Sequence, residues 1–206
     1  MKKLITALCF AVALVLCSCA KDPIGGTKVQ NVSGEWQVKA YLIDADGEII
    51  DTYDDATFHV MTYNTSENDA DKMYIDSYEN ADYAVDFSLG SGYYFYRAIV
   101  NVDTSTKEFS VENAEEDYTG EILVTIDGKI TEKGIETPSG AAADKIEFTV
   151  YAYYADDPDT NVLTDCWDYW EYPDYYDGAE AVAVKYVGWR YTGLVSDEDD
   201  INPVDF

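Results

Sequence analysis

The residue types that could perform nucleophilic catalysis are few in this chain: one histidine, His59, and four cysteines. A serine or cysteine nucleophile needs a base beside it. In the stretch 57–61, strand alternation sets His59 on the face opposite Phe58 and Val60, which predicts a solvent-facing side chain. The sequence contains no Gly-x-Ser-x-Gly elbow. We find no catalytic constellation, and the sequence favours a protein without catalytic activity over an enzyme.

Carboxylates are abundant: 41 Asp and Glu face 13 Lys and Arg, giving a net charge of −28. This charge argues against nucleic acid and anionic membrane surfaces as partners, because both would repel it. Zinc would require His or Cys clusters, which are absent. Calcium binds oxygen ligands, and Asp156, Asp157 and Asp159 are the best candidates, weighed against a solvated turn. We expect no cofactor.

The longest segment without a strand pattern is 156–180, which contains nine acidic residues, two tryptophans and four tyrosines. Loops longer than about 12–15 residues inside a compact domain are usually functional or disordered. Aromatic side chains favour burial or contact, so the segment is predicted to be a lid or rim. The candidate ligand-binding residues in it are Trp167, Tyr169, Trp170 and Tyr172.

The N-terminus has the order of an export signal: Lys2 and Lys3, an apolar run from Leu4 to Leu16, and the small Ser18. The run is shorter than the roughly 18 residues of a membrane span. Leu16-Cys17-Ser18-Cys19 resembles the lipobox of signal peptidase II substrates. That resemblance implies cleavage before Cys19 and a lipid on its thiol. An ordinary secretory signal, cut at a nearby small residue, is the alternative.

This interpretation divides the chain into a signal peptide over 1–18, a tether over 19–31 and one β-barrel domain over 32–206. Cys166 would then be the sole cysteine besides the lipidated one, so no intrachain disulfide is expected. It has no basic neighbour in the sequence to favour its thiolate, which predicts an inert thiol. We expect a lipoprotein of the cell envelope. Ala20, rather than an aspartate, favours the outer membrane, on either its periplasmic or its surface face.

From Val32 onward the pattern is that of β-strands, beginning with the alternation of residues 36–42. Asp127-Gly128 between two apolar runs predicts a hairpin with a type I′ turn. Further strands are predicted at Thr57–Tyr63, Met73–Asp76, Tyr83–Leu89, Tyr93–Val102, Glu108–Val111, Ile146–Tyr154 and Ala181–Trp189. About ten short strands indicate an all-β fold, an antiparallel barrel of about 8–10 strands or a sandwich.

Two motifs stand at opposite ends of the predicted domain, Gly34-Glu35-Trp36 and Gly188-Trp189-Arg190. A guanidinium over an indole ring gains about 0.5–2 kcal/mol. Calycins are similar to this chain in having a Gly-x-Trp on the first strand and a basic residue from the last strand across it. The resemblance implies a lipocalin-like barrel in which Trp36 and Arg190 close one end. Separate packing of both residues in a β-sandwich is the alternative.

The lipobox, Val32-Ser33-Gly34-Glu35-Trp36 and the late Gly188-to-Gly193 segment together resemble a narrower family. These are the calycin-like lipoproteins of gut Bacteroidetes labelled "lipid-binding putative hydrolase". The resemblance implies a membrane-anchored lipoprotein whose barrel binds a lipid or another small apolar ligand, and we carry over no catalytic residue. The alternative is a surface module that binds glycan or protein through the loop 156–180.

Overall fold

The computed structural model describes residues 26–52, 58–77, 96–117, 120–162 and 182–193. Within these residues the regular structure consists of strands alone, joined by turns. None of them belongs to a helix that is long and apolar enough to cross a membrane. The strands are β1 Gly34–Ile43, β2 Ile49–Thr52, β3 Phe58–Asn64, β4 Lys72–Asp76, β5 Arg97–Asp103, β6 Glu108–Glu115, β7 Ile122–Glu136, β8 Ala142–Tyr154 and β9 Ala183–Arg190.

The sheet closes on itself because its first and last strands pair. β1 forms hydrogen bonds with β9 on one side and with β3 on the other, so β1 and β3 to β9 make a closed ring of eight antiparallel strands. The short β2 is an additional strand that pairs with the end of β1, at residues 41–43. This architecture confirms the prediction of an all-β antiparallel, calycin-like barrel.

Alternation along the strands separates the inside of the barrel from the outside. On β5, Ala98, Val100 and Val102 are buried, whereas Ile99 and Asn101 between them are exposed. Side chains of a strand point alternately to the two faces of the sheet, so the first three face inward. The buried inward residues of all eight strands form one apolar core. Fully burying such a side chain contributes about 1.5–3 kcal/mol, which makes this core the main source of stability.

Aromatic rings fill the middle of the barrel. Phe148 on β8 and Tyr186 on β9 stack with centroids 4.8 Å apart and an interplanar angle of 13°. Phe58 and Tyr96 meet the Tyr186 ring edge-on, at 6.4 and 6.3 Å. Phe109 lies 6.2 Å from Phe148. We call these five residues the interior aromatic cluster. Edge-to-face and offset-stacked rings at such distances attract each other beyond the area they bury.

The hairpin predicted at Asp127-Gly128 is wrong, since β7 continues through both residues from Ile122 to Glu136. Gly128 faces the inside of the barrel. A Cβ atom placed on it would lie 2.4 Å from Phe148 Cβ and 2.6 Å from Phe109 Cζ. The glycine therefore makes room for two rings. The turn after β7 lies at residues 137–141, where the Thr137 amide donates to the Ala141 carbonyl.

Strands β1 and β9 are buried on their outer face as well. The outward-facing Gln37 and Tyr41 on β1, and Val187 and Trp189 on β9, are each exposed by 3% or less. The alternation of residues 36–42 is typical of a strand with one exposed face, so this second buried face is a difference from expectation. Burial raises the pKa of the Tyr41 hydroxyl, because it disfavours the phenolate.

The two ends of the barrel differ in how they are covered. At the end where β1 begins, called the Trp36 end, turns formed by residues 27–33 bury Val29 and Val32 completely. Val29 thus packs against the barrel from within the segment predicted as a tether over 19–31. The opposite end is called the distal end. The connections from β4 to β5, β6 to β7 and β8 to β9 start and finish there. The strand predicted at Tyr83–Leu89 lies outside the described residues.

Candidate functional site

The Trp36 end is closed by contacts between the first and last strands of the ring. Trp36 and Arg190 are direct partners in the β1–β9 pairing, and the guanidinium carbon lies 4.4 Å from the Trp36 ring centroid. Arg190 Nη1 donates to the Ser33 carbonyl at 2.5 Å, and Arg190 Nε donates to Asp144 Oδ2 at 3.3 Å. The structure therefore brings together the two residues proposed as the closing pair. One guanidinium joins β1, β8, β9 and the N-terminal turns.

Gly34 provides the space for this guanidinium. A Cβ atom at position 34 would lie 2.1 Å from Arg190 Nη1, which is closer than any real contact. The glycine of the Gly-x-Trp motif is thus explained by a long-range contact with a residue on the last strand. It is not explained by a turn, because Gly34 is a paired residue of β1, opposite Thr62 of β3.

Thr62 is a residue of this site that the sequence reasoning missed. Its hydroxyl accepts a hydrogen bond from Trp36 Nε1 at 2.9 Å and donates to the Val32 carbonyl at 2.7 Å. Both the indole N–H and the threonine are buried, so each partner removes the cost of an unsatisfied polar group. Nothing in the sequence distinguishes Thr62 from other threonines in strands, because its role depends on the pairing of β1 with β3.

The inner wall at the distal end is apolar, and part of it is accessible. Inward-facing residues near the Trp36 end, such as Val60 and Ile146, have no exposed surface. On β6, β7 and β8, by contrast, inward residues near the distal end are only half-buried: Val111, Ala114, Ile122 and Ala152. Several of these side chains are small. The Trp36 end is therefore filled, whereas the described inner wall of the distal half includes partly exposed apolar side chains.

The hydroxyl of Tyr96 is a polar group within this apolar environment, and the buried phenol of Tyr186 has its ring 6.3 Å away. Tyr96 immediately precedes β5 and is 3% exposed. Its amide donates to Ser77 Oγ at 2.8 Å, which fixes the backbone across the end of β4. The hydroxyl oxygen itself has no hydrogen-bond partner in the structure. Burial raises the pKa of the Tyr96 hydroxyl strongly, and the nearby Tyr186 and Asp76 raise it further, so it stays protonated.

A second concave region lies on the outer face of β5 to β9, with a volume of about 830 Å³. Its charges are partly paired: Glu147 accepts from Lys145 at 3.1 Å and from Lys185 at 3.0 Å. Burial alone would raise the pKa of Glu147, but the two lysines outweigh it and lower the pKa below its ordinary value. The lining is mostly polar, which does not suit an apolar ligand.

His59, considered above as a catalytic base, lies on the outer face as predicted, and Arg97 on β5 lies on the outer face as well. His59 Nδ1 is 3.8 Å from Glu35 Oε1, and its ring lies 5.8 Å from that of Tyr191. Arg97 Nε donates to Asp117 Oδ2 at 3.2 Å, an ion pair with a surface carboxylate. Neither side chain reaches the interior of the barrel, so neither can act on a ligand held there.

The remaining predicted site residues are placed only in part. Asp156, Asp157 and Asp159 lie in an exposed turn, in which the Thr160 hydroxyl donates to Asp157 Oδ2 at 2.7 Å. Across the described ranges, no group of three or more His, Cys, Asp or Glu side chains could hold a metal ion. The lipidation candidate Cys19, the thiol of Cys166 and the aromatic candidates Trp167, Tyr169, Trp170 and Tyr172 lie outside the described residues.

Comparison with known proteins supports the same fold family. The model of one protein family, described as "Lipid-binding putative hydrolase", matches residues 21–195. This range covers the whole barrel, both motifs of the Trp36 end and the connection from β8 to β9. A comparison with curated proteins found no match. Because the matched range includes most of the chain, the chain belongs to the "Lipid-binding putative hydrolase" family.

Proposed function

We propose that this protein is a lipid-anchored lipoprotein of the cell envelope that binds a lipid or another small apolar molecule in the distal half of its barrel. The observation that carries the proposal is the half-buried apolar inner wall at one end, opposite a filled end. The family description, which names lipid binding, supports it. Barrels of eight strands leave room for one small ligand at most.

The interior packing limits where such a ligand can lie. Near the Trp36 end, Trp36, Met73 and Ile146 fill the barrel with no exposed surface. Phe148 and Tyr186 stack across the middle. The ligand would therefore lie on the distal side of the interior aromatic cluster, against half-buried side chains such as Ile122 and Ala152. Binding there buries apolar surface of both molecules, which is the driving force for a ligand of this class.

The anchor and the ligand site would face opposite directions. Gly26 is the first described residue and lies at the Trp36 end, seven positions after Cys19. Seven residues span at most about 25 Å. A lipid on Cys19 would then hold the Trp36 end close to the membrane and turn the distal end toward the aqueous side. A ligand would enter from that side rather than directly from the anchoring membrane.

Lipid anchoring is tested by replacing Cys19 with serine in cells fed a clickable palmitate analogue. The unchanged protein should be labelled and sediment with membranes, whereas Cys19→Ser should lose both properties. Cys17→Ser is the matched control and should keep them. Labelling that persists in Cys19→Ser would refute lipid attachment at Cys19.

Ligand binding is tested by native mass spectrometry of a chain that begins at Ala20 and retains every described residue. Its folding is checked by cooperative thermal unfolding. The expected result is a copurified lipid, or saturable uptake of an added one. Inward Ala152→Trp should block uptake, whereas outward Thr149→Trp, three positions earlier on the same strand, should not. Uptake unaffected by Ala152→Trp would place the ligand elsewhere.

A second candidate function, binding of a glycan, rests on a different feature. A surface cleft of about 490 Å³ lies where the start of the 156–180 segment meets the outer face of β6, β7 and β8. Its lining combines phenol rings with amide, hydroxyl and carboxylate groups: Asn113, Thr125, Tyr151, Tyr153, Pro158 and Asp159. Rings for stacking beside hydrogen-bonding groups suit a sugar. Retention on a glycan array that Tyr151→Ala and Tyr153→Ala both remove would support this alternative.

A further inference from the structure

Tyr96 is the residue from which a narrower ligand class can be argued. Its ring belongs to the interior aromatic cluster, 6.3 Å from Tyr186, and its hydroxyl is buried without a hydrogen-bond partner. A buried hydroxyl that bonds to nothing costs free energy, because it loses its water without replacement. Such groups are uncommon in native structures, and each one requires an explanation. One such explanation is a ligand that supplies the missing hydrogen-bond partner.

The position of Tyr96 fits contact with a ligand in the distal half. It stands at the distal end of β5, where the chain enters the barrel wall. On the same face of β5 the next inward residue is Ala98, whose methyl group occupies little space. A molecule on the distal side of the interior aromatic cluster would meet the Tyr96 phenol beside half-buried apolar side chains such as Ala114 and Ile122. A phenol can both donate and accept one hydrogen bond, so it matches a carbonyl or a hydroxyl oxygen.

The charges around this space exclude a buried anion. Among the described Lys and Arg residues, Arg190 is the one that faces inward, and it lies at the Trp36 end, bound to Ser33 and Asp144. Arg97, next to Tyr96 in sequence, faces outward and pairs with Asp117. A carboxylate taken into an apolar interior without a cation is strongly disfavoured. The net charge of −28 opposes an anionic ligand as well.

We propose that the Tyr96 hydroxyl is the polar anchor of the barrel, and that the ligand is an uncharged lipid whose buried end carries a carbonyl or hydroxyl oxygen. This inference rests on the proposed lipid-binding function. It goes further in selecting long-chain alcohols and neutral esters over free fatty acids. It also assigns a ligand-contacting residue that no sequence motif indicates.

The experiment compares four ligands with the same twelve-carbon chain: dodecane, dodecanol, methyl dodecanoate and dodecanoate. Each displaces the neutral dye N-phenyl-1-naphthylamine from the chain that begins at Ala20, at pH 7. The alcohol and the ester should bind tighter than the alkane, and the carboxylate weaker than the ester by about tenfold or more. Tyr96→Phe should weaken the alcohol and the ester by about fivefold, the usual worth of one neutral hydrogen bond, and leave the alkane unchanged.

Tyr74→Phe, which removes a hydroxyl from the outer face of β4, is the matched control and should change no affinity. A separate measurement is thermal unfolding without ligand. Tyr96→Phe should unfold at the same temperature or higher, because it removes an unsatisfied buried hydroxyl. A lower unfolding temperature would mean that the hydroxyl has a structural partner, which would refute the proposed ligand-binding role of Tyr96.

The remaining outcomes separate the two proposals. If none of the four ligands displaces the dye, the proposal of lipid binding in the barrel fails, and the proposed role of the Tyr96 hydroxyl fails with it. If all of them bind but Tyr96→Phe weakens the alkane as much as the alcohol, lipid binding stands and the role of the hydroxyl is refuted. Tighter binding of dodecanoate than of its methyl ester would refute the selection for uncharged lipids.

Discussion

Trp36 and Arg190 stand directly opposite each other in the β1–β9 pair, with the guanidinium carbon 4.4 Å from the centre of the indole ring. The two residues come from the first and the last strand of the ring. Each side chain also forms hydrogen bonds at the Trp36 end: Trp36 donates to Thr62, and Arg190 donates to Ser33 and Asp144. The contact therefore couples closure of the barrel to coverage of one of its ends.

Replacing Arg190 with methionine should destabilise the barrel by about 2 kcal/mol. The change keeps an apolar chain over Trp36, but it removes the cation–π attraction and leaves the Ser33 carbonyl and Asp144 without their partner. The measurement is the urea midpoint at constant slope. The stability of Arg190→Lys should lie between those of the wild type and Arg190→Met, since lysine keeps the charge but lacks the planar donors. The control is Arg97→Met, whose exposed ion pair should contribute less than about 1 kcal/mol. Equal effects at positions 190 and 97 would contradict a special role for Arg190.

Gly34→Ala should be destabilising to a similar degree, for a steric reason. The added methyl would lie 2.1 Å from Arg190 Nη1, so the guanidinium must leave the Ser33 carbonyl. The test is a double-mutant cycle between Gly34→Ala and Arg190→Met. Because both changes disrupt one contact, their effects should be less than additive, with a coupling of about 1 kcal/mol. Additive effects would mean that the glycine is needed for another reason.

Thr62→Val should cost about 2–3 kcal/mol, although valine has the same shape, because two buried polar groups lose their partner at once. These are the Trp36 indole N–H and the Val32 carbonyl. Thr62→Ser retains the hydroxyl and should lose only the contribution of one methyl group. Urea denaturation of both variants separates the hydroxyl from the methyl. A larger loss of stability in Thr62→Ser than in Thr62→Val would show that Thr62 acts by packing alone.

The comparison of sequence and structure shows which features have local causes. The inward residues of β5 obey the period-two alternation of a strand, and the Trp36–Arg190 contact agrees with the resemblance to calycins. Side-chain period and motif position are both visible in a sequence. Asp127-Gly128 misled the prediction, since a glycine that makes room for Phe109 and Phe148 looks the same as a glycine in a turn. The rings come from other strands, so no local pattern reveals them.

The polar groups of the site were the least predictable. The role of Thr62 arises from the pairing of β1 with β3, and the proposed role of Tyr96 arises from a buried hydroxyl without a hydrogen-bond partner. Each property depends on what surrounds a side chain rather than on its type. The burial of the outer face of β1 and β9 also depends on the surroundings of the side chains. Alternation predicted the facing of Gln37 and Tyr41, but not the burial of these residues on the outside of the barrel.

The Glu147 carboxylate provides a pH-dependent test of the outer face. The hydrogen bonds from Lys185 and Lys145 outweigh burial and keep its folded-state pKa below the value of about 4.3 expected in the unfolded chain. A group with a lowered pKa contributes stability above the unfolded pKa and loses it as the pH falls through the folded one. Glu147→Gln should therefore cost up to about 1 kcal/mol at pH 7, a modest value because solvent screens the half-buried pair.

The difference between wild type and Glu147→Gln should be constant from pH 7 to about pH 5 and should disappear as the pH falls below about 4. Urea midpoints at several pH values measure it, and the comparison cancels the change in overall repulsion on this acidic chain. Added salt should reduce the difference at pH 7, because it screens partly exposed charges. Glu48→Gln, in the exposed turn after β1, is the control for removing one negative charge from an exposed position. A difference that grows toward low pH would mean that the lysines do not stabilise the ionised carboxylate.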